Sequence, residues 1–177
     1  MQWFPMRVTY HRDLKIKVCF DKEGIESFLP MRYELVENGM ERERKLVPAI
    51  HNLIFIHSTQ EQLTKLKMER TAFSPIRYIM KPVSAGEKKI LVVPDEQMEN
   101  FIRAATVQND SIRYLECNDF INKIGKKVRI TAGQFKGVCG VIKRIKKNKY
   151  VVVQIEGLVA IAITYVPSCF LEEINNQ

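Results

Sequence analysis

Apolar and polar positions change rhythm part-way along the chain. Trp3 to Tyr10 is short, aromatic and β-branched and reads as a strand running into the charged stretch that starts at His11, with Pro5 near its start or on an edge. Between Leu14 and Phe20 two periods compete: Leu14/Val18 has helical spacing, whereas Ile16/Val18/Phe20 alternates as a strand does. Ser27 to Val36 predicts a strand, Glu37 to Met40 an Asn-Gly turn, and Glu41 to Lys45 the charged return of a hairpin. Leu53 to Ile56 is a continuous apolar run suited to a central strand. Thr59 to Met68 predicts a helix capped by Ser58 or Thr59, and Pro75 to Met80 another strand. Pro94 and the acids after it open a helix whose apolar face is Met98, Phe101 and Ile102 and which ends near Ala105.

After that the helical period disappears. Thr106 to Ser111 is polar and aperiodic, and a linker is placed over residues 106–122. Strands are then predicted at Lys127–Thr131, Gly140–Ile142, Tyr150–Ile155 and Val159–Ile163, separated by glycines and by Lys147-Asn148. So short an all-β domain hides its edges most simply by closing into a barrel. The expectation is an α+β domain over 1–105, with a central antiparallel sheet flanked by helices, and a small all-β barrel over 123–177.

Charge sharpens this division. Residues 1–105 hold 17 Lys and Arg against 14 Asp and Glu, the remainder 11 against 6, and the ten basic residues between Asn122 and Tyr150 meet no acid in sequence. With a net charge of +8, the chain suits an anionic partner. Cys19, Cys117, Cys139 and Cys169 form no C-x-x-C pair, so neither a zinc site nor a disulfide framework is suggested, and small buried hydrophobes in a reducing cytosol are expected. The N-terminal residues lack a signal pattern, and the apolar run Gly157 to Val166 is about half of what a spanning helix needs, so a soluble cytoplasmic protein without membrane contact is expected.

The run from Gly125 to Ile142 resembles the KOW motif of ribosomal proteins and NusG-type factors. Gly133 and Gly137 permit a tight turn at positive φ, Phe135 anchors the loop, Lys136 supplies charge and Gly140 permits a close backbone approach. Upstream, Trp3-Phe4, the hairpin, Arg44 to Pro48 leading into Asn52 to Ile56, Ala72 to Ile79 and Ile90 to Asp95 follow the order of the NusG N-terminal domain. The chain is thus identified as a member of the NusG/RfaH family, most similar to the specialised UpxY-type anti-terminators through Lys146 to Val153 and Gly157 to Ala160. The family's Phe-Pro-Gly-Tyr stretch is replaced by the longer Val47 to Leu53.

The resemblance implies a non-enzymatic monomer without cofactor that binds RNA polymerase and modulates pausing and termination at specific operons such as surface-polysaccharide loci. Its second domain would be an SH3-like barrel that recruits a ribosome or termination factor. Matching positions for polymerase are Arg7, Pro48, Asn52, Leu53 and Phe55; in Leu53 to Ile56 either one alternate pair faces the partner or all four are core. Matching positions for non-template DNA or nascent RNA are Thr9, Tyr10, His11, Arg12 and Lys15, where an aromatic ring for base stacking adjoins cations for phosphates. No histidine belongs to a catalytic or metal pattern. The competing reading is a ribosome-associated KOW-type RNA-binding protein. Val151 to Val153 and Gly157 favour strands over the helical hairpin that the RfaH second domain can adopt. Circular dichroism of the isolated second domain, residues 123–177, should therefore show β structure, and a helical spectrum would refute this.

Overall fold

The computed structural model describes residues 1–38, 41–107, 110–116, 125–145 and 148–174. By its internal packing the chain divides into Met1–Asp95 and Glu96–Gln177. The first unit contains β1 (Gln2–Val8), α1 (Asp13–Lys22), β2 (Ser27–Phe28), β3 (Met31–Asn38), β4 (Glu41–Pro48), β5 (Leu53–Ser58), α2 (Gln60–Glu69), β6 (Ile76–Tyr78), β7 (Met80–Ser84) and β8 (Glu87–Ile90). Its main sheet has the order β2-β5-β1-β6 and is antiparallel throughout.

Opposed pairs Phe4↔Ile56 and Met6↔Ile54 put four apolar side chains on one face of this sheet. They join Val8, Ile16, Phe20, Leu63 and Phe73 in the core. Helix wins over strand at 13–22 because Ile16 and Phe20, four residues apart, enter this core on one stripe, and Phe20 meets the Phe73 ring at 4.8 Å. Leu14 and Val18, the pair with the apparent helical signal, lie on the exposed side. Of the two candidate caps of α2, Thr59 is the one used: its hydroxyl accepts from the Gln62 N–H.

The opposite face of the sheet is buried as well. Leu53 and Phe55, opposed to Arg7 and Pro5, have 5% and 0% exposure. This corrects the reading in which one alternate pair of β5 is free to meet a partner: both faces of the strand are packed, as central apolar strands commonly are.

Two ribbons stand apart from the sheet, β3–β4 in a register from Met31↔Pro48 to Asn38↔Glu41, and β7–β8 with Lys81↔Lys89. The first was expected from the Asn-Gly turn, whose Gly39 and Met40 lie outside the described residues. The second was not, because Pro82 and the polar run after it carry no β-signal.

The second unit comprises α3 (Asp95–Thr106, which begins on the last residue of the first unit), β9 (Ile112–Glu116), β10 (Lys127–Ile130), β11 (Cys139–Ile145), β12 (Asn148–Ile155), β13 (Val159–Ile163) and β14 (Leu171–Glu173). Ile112 to Glu116, inside the segment expected to be linker, pairs with all of β13. The sheet order is β14-β10-β11-β12-β13-β9. The expected closed barrel is corrected to an open ladder: among the described residues no pairing joins β9 to β14, because β9 occupies the free edge of β13 and the three-residue β14 that of β10.

The β-branched run Val151 to Val153 is fully packed, and all five residues of β13 are buried. Of the described cysteines, Cys19 and Cys139 are half-buried and Cys169 is exposed, so the expectation of buried cysteines does not hold for them; Cys117 lies outside the described residues.

At Gly140 an added Cβ would stand 2.7 Å from Val151 Cγ1 and 2.8 Å from the Val152 carbonyl oxygen. Backbone cannot yield as a flexible side chain can, so Gly140→Ala should destabilise the second unit by roughly 1–3 kcal/mol in urea unfolding. Unchanged stability would show that β11 and β12 do not approach this closely.

Candidate functional site

The turn between β1 and α1 is built from strained backbone. Tyr10 and His11 take φ of +64° and +49°, and Asn52, in the neighbouring turn before β5, takes +62°. Such conformations cost non-glycine residues on the order of 1 kcal/mol or more each and persist only where surrounding bonds hold them. The holding bonds are visible. Thr9 donates to the Pro75 carbonyl twice, through its N–H at 3.0 Å and its hydroxyl at 3.1 Å. The Val8 N–H donates to the Asn52 carbonyl at 3.1 Å. Two turns distant in sequence are thereby locked side by side.

The strained turn puts Tyr10 into solvent at 80% exposure, with the Arg12 guanidinium 5.6 Å from its ring centre. Lys15 is exposed on α1 two residues into the helix. Four of the five proposed nucleic-acid positions therefore offer accessible groups, whereas Thr9 is half-buried and holds the turn. An exposed ring with a cation over it can stack a base while the cation meets a phosphate.

Beneath this surface lies a group that no sequence motif singles out. Asp13 is only 3% exposed, and burial pushes its carboxyl above the usual range. The N–H groups of Asp13 and Asn52 and the imidazoles of His51 and His11 pull in the other direction. His11 and His51 meet edge to face at 5.8 Å. Asp13 thus ties the start of α1 to the turn that carries His51 and Asn52. Only an aspartate just before an apolar helical stripe was available as a signal, and it is equally a common helix-start residue.

Of the proposed polymerase positions, Arg7 is exposed, Pro48 is half-buried at the end of β4, and Asn52 is half-buried, its side-chain oxygen lacking a hydrogen-bond partner among the described residues. Leu53 and Phe55 are interior. Trp3 is 4% exposed and stacks on His57 at 4.9 Å, while His57 Nδ1 lies 2.7 Å from Glu26.

In the second unit the glycine-spaced loop has the geometry its residues require. Gly133 and Gly137 take φ of +78° and +86°, the Gly137 N–H donates to the Ile130 carbonyl at 2.7 Å, and Phe135 is buried. Asn100 of α3 pairs with both backbone groups of Cys139, donating to its carbonyl at 2.6 Å and accepting from its N–H at 2.8 Å. The basic segment is less bare than its sequence implied. Lys126 and Arg129 meet Glu173 and Glu172 of β14 at 2.7 and 3.8 Å, and Lys143 is buried, while Lys136 stays exposed.

A family model, described as NusG, transcription termination factor nusG, matches residues 1–102 of this chain. The chain belongs to the NusG family. The NusG match takes in every proposed polymerase and nucleic-acid position, and it places the protein among transcription factors rather than enzymes. A search of curated proteins finds no match. Among solved structures, one described as "Crystal Structure of MjSpt4:Spt5 complex conformation B" is 14% identical, over 98% of this chain and 97% of that one, with a TM-score of 0.30. Among the described residues no helix of this NusG-family chain is long and apolar enough to cross a membrane.

Because the folded-state pKa of Asp13 is raised, the protonated acid favours folding. Its contribution is complete below the unfolded value of 3.8 and is lost as pH rises through the folded value. Asp13→Asn should therefore gain stability relative to the native chain as pH rises from 3 towards neutrality, measured by urea unfolding across pH. A difference independent of pH would mean that the carboxyl is not desolvated.

Proposed function

We propose that this chain is a transcription elongation and anti-termination factor that binds RNA polymerase through its N-terminal unit, modulates pausing and termination, and acts at specific operons of the surface-polysaccharide kind. The family match over residues 1–102 carries this reading. The strained turn presenting Tyr10 and Arg12 supports nucleic-acid contact within the transcribing complex, with non-template DNA or nascent RNA as the strand that stacks there.

Arg7, Pro48 and Asn52 are the polymerase positions with accessible surface; Leu53 and Phe55 support them from the interior. In the second unit the loop with Gly133, Phe135, Lys136, Gly137 and Gly140 is a KOW-type turn, and that unit recruits a ribosome or a termination factor. No catalytic step and no cofactor are part of this function, and the protein works as a cytoplasmic monomer.

The test is binding of the full chain to purified RNA polymerase and to assembled elongation complexes, with RNA and ribosomes as competitors and salt as a variable. Expected is polymerase binding that survives salt sufficient to remove purely electrostatic nucleic-acid binding. Binding to ribosomes or RNA with none to polymerase would transfer the protein to translation. Tyr10→Ala should weaken binding to elongation complexes roughly tenfold, in line with the removal of one stacked base, and leave free polymerase binding unchanged. Equal weakening of both would place Tyr10 against the polymerase.

A further inference from the structure

Strand register sets a row of aliphatic side chains on one face of the second unit's sheet. Ile142 of β11 lies opposite Val151 of β12, which in turn lies opposite Ile163 of β13. On the other side of β11, Val128 of β10 is opposite Gly140, and residues 140 and 142 share a face by alternation. Leu171 of β14 joins that face, because it is opposite Ile130, two residues along β10 from Val128.

These residues, with Val166 from the segment leading from β13 to β14, line a cleft of about 200 Å³. Close-packed interiors leave few voids larger than a water molecule, so an apolar space of this size is unusual. Val128, Val151 and Ile163 form its buried floor, whereas Ile142, Val166 and Leu171 are half-buried and border its open side. Apolar spaces of this order stay dry and take up a small hydrocarbon group.

At the mouth the chemistry changes. Lys149, two residues before Val151 on β12, also lines the cleft, and Arg144 of β11 lies directly opposite it. Opposed residues of an antiparallel pair share a face, and like charges placed in this way destabilise the pair. Both side chains are exposed, and among the described residues neither has a carboxylate within ion-pair distance. Glu173, the one carboxylate among the described residues that line the cleft, is engaged by Lys126 at 2.7 Å. Two unanswered cations thus stand beside aliphatic walls.

We propose that this cleft binds a small aliphatic carboxylate, with a chain of about five to eight carbons in the apolar space and the carboxylate bridging Lys149 and Arg144. The bridge replaces a repulsion with two charge-assisted hydrogen bonds. Inorganic phosphate or a nucleic-acid backbone would answer the cations and leave the cleft unfilled. A neutral hydrocarbon would fill the cleft and leave the cations facing each other. Only a ligand with both ends uses both features. The site lies wholly within the second unit and does not rest on the polymerase binding proposed for the first.

The experiment is a methyl-resolved NMR titration of the full chain with butanoate, hexanoate, octanoate, hexan-1-ol and inorganic phosphate at constant ionic strength. Hexanoate should shift the methyl signals of Ile142, Val151 and Ile163 saturably, and affinity should rise roughly fourfold for each methylene added until the cleft is full. Lys149→Gln should weaken hexanoate about tenfold, the loss of one charge-assisted hydrogen bond, and leave hexan-1-ol unchanged. Val166→Phe, which enlarges a residue lining the cleft, should weaken both ligands alike. Unchanged methyl dispersion without ligand checks the fold of each variant.

Absence of cleft methyl shifts with hexanoate and octanoate overturns the proposal, as does unchanged hexanoate affinity in either variant. Equal binding of hexan-1-ol and hexanoate to the native chain would remove the cations from the site and overturn the carboxylate class. Affinity independent of chain length, with phosphate displacing hexanoate, would reduce the mouth to an anion patch and overturn the role of the cleft. Polymerase binding is scored separately, so its failure would leave each of these outcomes readable.

Discussion

Because β1 is hydrogen-bonded to β5 along one edge and to β6 and Val93 along the other, its side chains must alternate between two packed faces, and the rest of the N-terminal unit follows from that placement. Phe4 and Met6 call for a cover, supplied by Ile16 and Phe20 of α1 and by Leu63 of α2. The chain must turn sharply after Val8 to bring α1 back over the sheet. That turn is where Tyr10 and His11 take up left-handed backbone. The exposed aromatic and its cation are thus a by-product of core packing made available for binding, since a turn forced by the interior is held rigidly at the surface.

The same constraint explains the division of labour at this end of the sheet. Thr9, Asp13 and the backbone of Asn52 hold the two turns together with hydrogen bonds. Tyr10, Arg12 and Lys15 remain free to meet a ligand. Separating groups that hold from groups that bind is what a preorganised recognition surface needs, because flexible side chains that must be ordered on binding forfeit affinity. Leu53 and Phe55 belong with the first class: their burial makes them supports for Arg7 and Asn52 beside them rather than contacts in their own right.

Electrostatics divides differently in the two units. In the second, the long basic run is partly answered by β14, where Glu172 and Glu173 come back across the sheet to Arg129 and Lys126. In the first, strand pairing sets cations directly opposite one another, with Arg7 against Arg77 and Lys81 against Lys89. A count along the sequence misses both features, because it averages over distances along the chain while Coulomb energy depends on distances across the sheet.

The elements whose burial pattern is local were legible in the residues alone: the central strand at Leu53 to Ile56, a helix capped at Ser58 or Thr59, the hairpin through Asn38, the helix after Pro94, and the glycine-spaced loop whose Gly133 and Gly137 take positive φ. Each rests on a propensity or a period that operates over a few residues. Leu14 to Phe20 was undecidable at that range, and the core of β1, β5 and α2 settled it by admitting Ile16 and Phe20 together. Ile112 to Glu116 carried no strand signal strong enough to leave the linker, yet the free edge of β13 recruits it, since an unpaired edge bonds whatever extended chain reaches it. The clustering of Asp13 with His11 and His51, the burial of both faces of β5 and the two opposed cation pairs were likewise decided only by tertiary structure. They depend on which strands become neighbours, and periodicity within one strand does not contain that information.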